Sequence, residues 1–262
     1  MGWIMMTKGL VWCVLVIPLV MAGCVSRGGA SDAQRTAVDG TEGVRAFSWS
    51  GYRWRVRPAT DQLAFPGPNC WSDSDQSVWV DGDGRLHLAV RYDRDDWYCC
   101  EVISQESLGY GRYIFHVDGP LESIDKNLVL GMSTYLDDEH EIDIELTKWG
   151  QDRPAVYEQY TVQPYQHQGN MNRADYVPRS SVTTFAFTWL KDRIVFESFV
   201  GDDVQDQTPY RTWTYTGEHI PEPGSEKVHV NVWLFNGHWP QKNKTHELVL
   251  SQFEFVPAGQ DP

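Results

Sequence analysis

The stretch His140-Glu141-Ile142-Asp143-Ile144-Glu145 decides how this chain is read. Carboxylates stand at i, i+2 and i+4, and isoleucines fill the gaps. Side chains of a β-strand point alternately to opposite faces. As a strand, the stretch places Glu141, Asp143 and Glu145 on one face and Ile142, Ile144 and Leu146 on the other. Three like charges in a row are costly unless that face uses them. The isoleucines can enter a core while the acids line a wet groove. Two carboxyl groups flanking one scissile bond are what a glycosidase needs. The bland alternative is a solvated strand face that happens to be acidic.

The spacing fits that chemistry. At about 3.3 Å per residue, the Cα atoms of Glu141 and Glu145 lie about 13 Å apart. Side chains leaning toward each other close the gap to about 5 Å, the separation of a retaining glycosidase rather than the about 6.5–9.5 Å of an inverting one. Asp143 lies between them. It can hydrogen-bond one glutamate and keep an acid protonated by like-charge repulsion. His140 alternates onto the core side and reads as a buried, satisfied imidazole.

Outward from this stretch, short strands and turn signals follow one another. Asp81-Gly82-Asp83-Gly84 sits between Val78-Trp79-Val80 and Leu86-His87-Leu88 and reads as a hairpin. Strands are expected at 113–117, 128–135, 141–146, 159–163, 183–189, 193–199, 228–235 and 248–255. Phe185, Phe187 and Trp189 share a core face, as do Val228, Val230, Val232 and Leu234. His229, Asn231, Trp233 and Phe235 then point to the groove. Gln159, Thr161 and Gln163 form another polar row, suited to sugar hydroxyls. Trp149 and Trp239 fall in loops beside the groove. No G-x-S-x-G elbow, H-E-x-x-H zinc site or phosphate-binding glycine loop competes.

Four segments carry a family likeness. Glu141-Ile142-Asp143-Ile144-Glu145, Asn69-Cys70-Trp71, Cys99-Cys100-Glu101 with Gly109-Tyr110-Gly111-Arg112-Tyr113, and Asn231-Val232-Trp233 with Asn236-Gly237 occur in one order. Together they resemble glycoside hydrolase family 16, most closely the bacterial lichenases (β-1,3-1,4-glucanases), over residues 47–256. The resemblance implies an all-β, concanavalin A-like jelly roll: two stacked antiparallel sheets with the substrate groove on the concave one. It implies a retaining endo-β-glycosidase with Glu141 as nucleophile, Glu145 as acid/base and Asp143 assisting. Asn69, Glu101, Asn231 and Trp233 would line the sugar cleft. It pairs Cys70 with Cys99 and leaves Cys100 as a buried thiol; a Cys70–Cys100 bridge is the alternative. The family often carries a calcium ion on the convex face, for which no ligands can be assigned here; no other cofactor is expected. Two positions depart from the lichenase pattern. Glu139 stands where a tryptophan is usual, and Ile103 where an arginine is usual. They motivate the alternatives: a non-hydrolytic carbohydrate-binding or structural envelope lipoprotein, or a transglycosylase on the same fold.

Composition sets bounds. The chain has 262 residues, which suits one large β domain. Its formal net charge of −14 argues against nucleic acid and, unless a local basic patch overrules it, against acidic polysaccharides. A neutral glycan, β-glucan above all, fits a chain expected to be monomeric. Lys8 precedes an apolar run from Gly9 to Met21, too short for an ordinary membrane span. Ala22-Gly23-Cys24 resembles a bacterial lipobox. The expected order is a signal peptide at 1–23, a tether at 24–44 lipidated on Cys24, and the jelly roll at 45–262. Export to the cell envelope follows, at the outer membrane if the host has one.

Overall fold

The computed structural model describes residues 43–60, 62–177, 180–202, 204 and 207–259. The export segment, Cys24 and most of the tether lie outside the described residues. The strands are β1 (Ala46–Trp49), β2 (Tyr52–Val56), β3 (Cys70–Trp71), β4 (Val78–Val80), β5 (Leu86–Asp93), β6 (Asp96–Ser104), β7 (Gly111–Asp118) and β8 (Leu128–Asp137). They continue as β9 (His140–Thr147), β10 (Tyr157–Val162), β11 (Met171–Asp175), β12 (Val182–Trp189), β13 (Ile194–Val200), β14 (Arg211–Tyr215), β15 (Lys227–Leu234) and β16 (His246–Pro257).

Pairing builds two layers. One runs β11-β10-β9-β8-β15-β6-β2-β1, the other β4-β5-β16-β7-β12-β13-β14. The β5–β6 hairpin joins them, because the first half of β5 pairs with β16 and its end with β6. All pairings are antiparallel except that of two-residue β3 with β6. This is a β-jelly roll. The expected hairpin forms with Val78 opposite Leu88 and Val80 opposite Leu86. In its turn, Asp81 Oδ1 accepts from the backbone N–H groups of Asp83 and Arg85, both at 2.9 Å.

The core lies between the layers, and the alternation places the residues as expected. Ile142, Ile144 and Leu146 are fully buried with Phe185, Phe187, Trp189, Val230 and Val232. Tyr160 of β10 stacks on Phe196 of β13 at 4.9 Å between ring centroids, which ties one layer to the other. Beside that stack a carboxylate is fully buried. Glu158 Oε1 accepts from Tyr160 Oη at 2.7 Å and Ser198 Oγ at 2.6 Å, and Oε2 accepts from Tyr210 Oη at 3.0 Å. Arg211 supplies the countercharge, with Nη1 3.4 Å from Oε1.

Three expectations are corrected. Cys99 and Cys100 are both free and buried, so the Cys70–Cys99 disulfide is not made. The register explains it: Cys70 sits opposite Tyr98 and Trp71 opposite Cys99, so Cys70 and Cys99 project from opposite faces. Cys100 lies instead against the Ala89 carbonyl. His140 is exposed at the edge of β9 rather than buried, with Nδ1 2.6 Å from Asp137 Oδ1, because the β8–β9 turn lifts it clear of the core. Phe235 leaves the strand for a 3₁₀ turn that ends β15.

Removing Arg211 would strand the Glu158 charge between the layers. Arg211→Met is expected to lower unfolding free energy by about 3–5 kcal/mol in denaturant titration. A loss below about 1 kcal/mol would show that the pair does not hold the layers together.

Candidate active site

The site is built from rows that cross the first layer, since paired residues project from the same face. Glu145 stands between Gln159 on β10 and Gly131 on β8. Asp143 stands between Thr161 and Ser133, and Glu141 lies opposite Tyr135. The Glu145 row extends to Arg173 on β11 on one side, and to Asn231 on β15 and Glu101 on β6 on the other. Three acids are therefore co-facial, and most of the expected binding residues sit in their rows. Asp143 is buried; Glu141 and Glu145 are half-buried.

Each acid has donors. Gln159 Nε2 donates to Glu145 Oε2 at 2.9 Å and contacts Thr161 Oγ1 at 3.1 Å. The Gln159 amide is itself oriented, because its Oε1 accepts from Arg173 Nε at 2.7 Å and from Trp149 Nε1 at 3.3 Å. Ser133 and Gln163 donate to Glu141. Asp143 and Glu145 share a hydrogen bond.

Burial and mutual repulsion hold protons on this cluster. Burial, then the charges of Glu145 and Glu101, push Glu141 up to about 8 against the opposing bonds from Ser133 and Gln163. Burial and both glutamates push Asp143 well above the ordinary carboxylate range. Burial lifts Glu145 to about 7, restrained by Asp143, Arg173 and Gln159. Arg173 thus lowers the acid at its own end of the row, and among the described residues no cation is seen to do the same for Glu141.

Glu101 behaves differently. Burial opposes its ionisation, but His229, Arg57 and Asn231 outweigh burial and hold it below the usual range. His229 Nδ1 lies 2.7 Å from its Oε1, and Arg57 Nη1 donates to Oε2 at 3.1 Å. Arg57 also covers the Trp71 ring at 3.8 Å. Asn231 leans the other way: a Cβ on Gly131 would lie 2.5 Å from Asn231 Oδ1. That oxygen is buried and has no hydrogen-bond partner. It is an acceptor beside the Glu145 row, suited to a hydroxyl.

The remaining expected residues divide. Trp233 lies on the acid face, 6.1 Å from Trp149, which also meets Phe235 at 5.2 Å. These rings form an apolar wall at the Glu145 end of β9. Trp239 is exposed and meets Tyr92 of the β5–β6 hairpin instead. Asn69 is buried, and its amide N–H groups donate to the carbonyls of Pro66 at 2.8 Å and Leu234 at 2.9 Å. It clamps the loop before β3 onto β15. Sequence reasoning missed Arg57, Ser133 and Arg173. Ser133 was findable, because it alternates with the core residues Leu130 and Met132 in an expected strand. Arg173 lies on edge strand β11, whose Met-Asn-Arg-Ala-Asp run has no apolar alternation.

No family model matches the chain, and no curated protein does. Solved structures do. The β-glucanase of Bacillus licheniformis aligns over 83% of this chain and 94% of its own, with a TM-score of 0.58 and 18% identity. A β-1,3-glucanase from Mycobacterium marinum aligns over 78% and 90%, with a TM-score of 0.59 and 17% identity. A structure described as an immunostimulatory antigen and pseudo β-1,3-glucanase of Mycobacterium tuberculosis aligns over 78% and 91%, with a TM-score of 0.59 and 16% identity. At such identities the likeness speaks for architecture: this chain has the lichenase-like jelly-roll fold of glycoside hydrolase family 16.

Proposed function

We propose that the protein is a retaining endo-β-glycosidase that hydrolyses a polysaccharide, with β-glucan as the leading substrate. The observation that carries this reading is the proton-holding row Glu141, Asp143 and Glu145 on one face of β9. In the first step, protonated Glu145 gives its proton to the glycosidic oxygen while the Glu141 carboxylate attacks the anomeric carbon. The leaving sugar departs and a glycosyl–Glu141 ester remains. Glu141 is then neutral, so repulsion on Glu145 falls; Glu145 takes a proton from water as the water oxygen attacks the anomeric carbon and the ester bond breaks, releasing the sugar and the Glu141 carboxylate. Asp143 holds a proton between them and can donate to the Glu145 anion in that second step. Asn231 Oδ1 and the Gln159–Thr161 pair would meet sugar hydroxyls, and Trp233 with Trp149 a pyranose face. The same reading puts the chain at the cell envelope, exported and lipid-anchored through Cys24.

Glycan binding without turnover is the second reading. Glu139 and Ile103 favour it, as does Arg173, which draws down the residue that must begin as an acid. A transglycosylase would use the same residues and pass the glycosyl group to a sugar instead of water.

Glu141→Gln is expected to abolish reducing-end release from β-glucans, and Glu145→Gln to lower kcat by about 10²–10⁴-fold. Full activity in Glu141→Gln would end the assignment, and binding with no cleavage by the natural protein would select the second reading.

The pH profile of kcat/KM should be a bell centred near neutrality, because one proton must be shared by groups lifted to about 8 and about 7. Arg173→Gln removes a cation beside Glu145, so the pKa of Glu145 rises. With Glu145 the lower of the two, its titration sets the acid limb, which should then move up by roughly 0.5–1 pH unit. Movement of the alkaline limb instead would show that Glu145, not Glu141, holds the last proton.

The same protons act on stability. The folded-state values of Glu141 and Glu145 lie above the model-peptide value of 4.5, so the folded state binds more protons. Their favourable contribution is complete below about pH 4.5 and is lost as pH rises through about 7 and 8. Glu141→Gln should therefore leave Tm near the natural value at about pH 4.5 and raise it by a few degrees at about pH 9. An equal change at both pH values would contradict the burial of these acids.

A further inference from the structure

A cavity of about 270 Å³ lies away from the acid row, at the end of the sandwich where β9 finishes. Three loops enclose it: 123–126 before β8, 148–153 after β9, and 241–246 leading into β16. Lys126, Lys148, Arg153, Lys242, Lys244 and His246 line it. Two acids also line it, and both are engaged. Asp152 pairs with Lys126 at 2.7 Å. Asp125 accepts from the backbone N–H groups of Asn127 at 3.1 Å and Gln241 at 2.9 Å. Lys148, Lys242 and Lys244 make no ion pair among the described residues. In a chain of net charge −14, this concentration of cations runs against the overall balance.

Two lining atoms are buried without a hydrogen-bond partner: Arg153 Nη1 and His246 Nε2. A buried polar atom left unpaired costs free energy that a ligand can recover. The Arg153 guanidinium is already held. It lies 3.3 Å over the Tyr157 ring, and its Nη2 pairs with Asp175, which leaves Nη1 for another acceptor. At His246, burial leads in lowering the pKa, and Lys244 and Lys242 add to it against Asp125 and a backbone bond.

We infer that this cavity is an oxyanion-binding site that takes a phosphate, sulfate or carboxylate group on Arg153 Nη1 and the surrounding lysines. A fixed guanidinium with point-charge ammonium groups is suited to such ligands. The ligand can be a free inorganic anion or an acidic substituent on a sugar chain. The second source rests on the glycosidase reading. It has a structural route, since one loop turns Trp149 to the acid face and Lys148 and Arg153 to the cavity.

The test is calorimetric titration of the natural protein with inorganic phosphate and sulfate at low ionic strength, followed by a sulfated or uronic oligosaccharide and its neutral counterpart. Phosphate or sulfate should bind with affinity that falls as salt rises. Arg153→Gln should weaken binding by about tenfold or more. Lys242→Ala with Lys244→Ala, on an exposed loop, gives the same readout if Arg153→Gln fails to fold. Glu141→Gln should leave binding unchanged, which separates this site from the fate of the glycosidase reading. Acidic oligosaccharide binding about tenfold tighter than phosphate would support the site with a glycan as source. Equal binding would support it with a free anion as source. No binding of any oxyanion by about 10 mM, or full binding by the Lys242/Lys244 variant, would overturn it.

Discussion

The register of β9 is the constraint on which the rest depends. Ile142, Ile144 and Leu146 fill the space between the layers, and nothing polar can take their place without a partner. A slip of one residue would bury three acids and expose three aliphatic side chains. The core therefore fixes where the acids point. The same register runs on into β10, where Glu158 and Tyr160 face inward and Gln159 and Thr161 outward. Core and site are two sides of one set of pairings.

The outward face is costly in a specific way. Three carboxyl groups sit within one row of a sheet, partly desolvated, and they stay tolerable by keeping protons. Glu101, a few strands away, meets the same problem with opposite means: two basic side chains and an amide let it remain ionised. Two chemically identical groups on one face are thus driven to opposite protonation states by their neighbours. Arg173 adds an asymmetry between the glutamates themselves. It leaves Glu141 with the stronger hold on a proton and Glu145 with the weaker one.

Much of this was legible in the sequence wherever one face is apolar. The Ile142/Ile144, Phe185/Phe187 and Val230/Val232 alternations marked their strands and faces, and co-linear motifs brought Glu101 and Asn231 to the acids. Legibility failed where pattern is absent. Edge strand β11 has no buried stripe, so Arg173 was invisible although it answers a glutamate. On β14 Trp213 and Tyr215 do alternate toward the core, but a five-residue run too short to be expected as a strand hid Arg211 on the same face. The Cys70–Cys99 pairing failed for a different reason. Motif likeness gives sequence neighbours, but which side of a strand a thiol takes is set by the parallel register of β3 on β6. His140 failed because alternation holds only while pairing does, and the β8–β9 turn begins beside it.

Gly131 carries a consequence of its own. It is the member of the Glu145 row that contributes no side chain, and Asn231 occupies the space left over. The pocket at that point is made by omission. Omissions are easy to lose: a Cβ there would lie 2.5 Å from the Asn231 oxygen, so even alanine forces a choice between the two residues. The space can be kept by shrinking Asn231, but only by giving up the acceptor that the glycine makes room for.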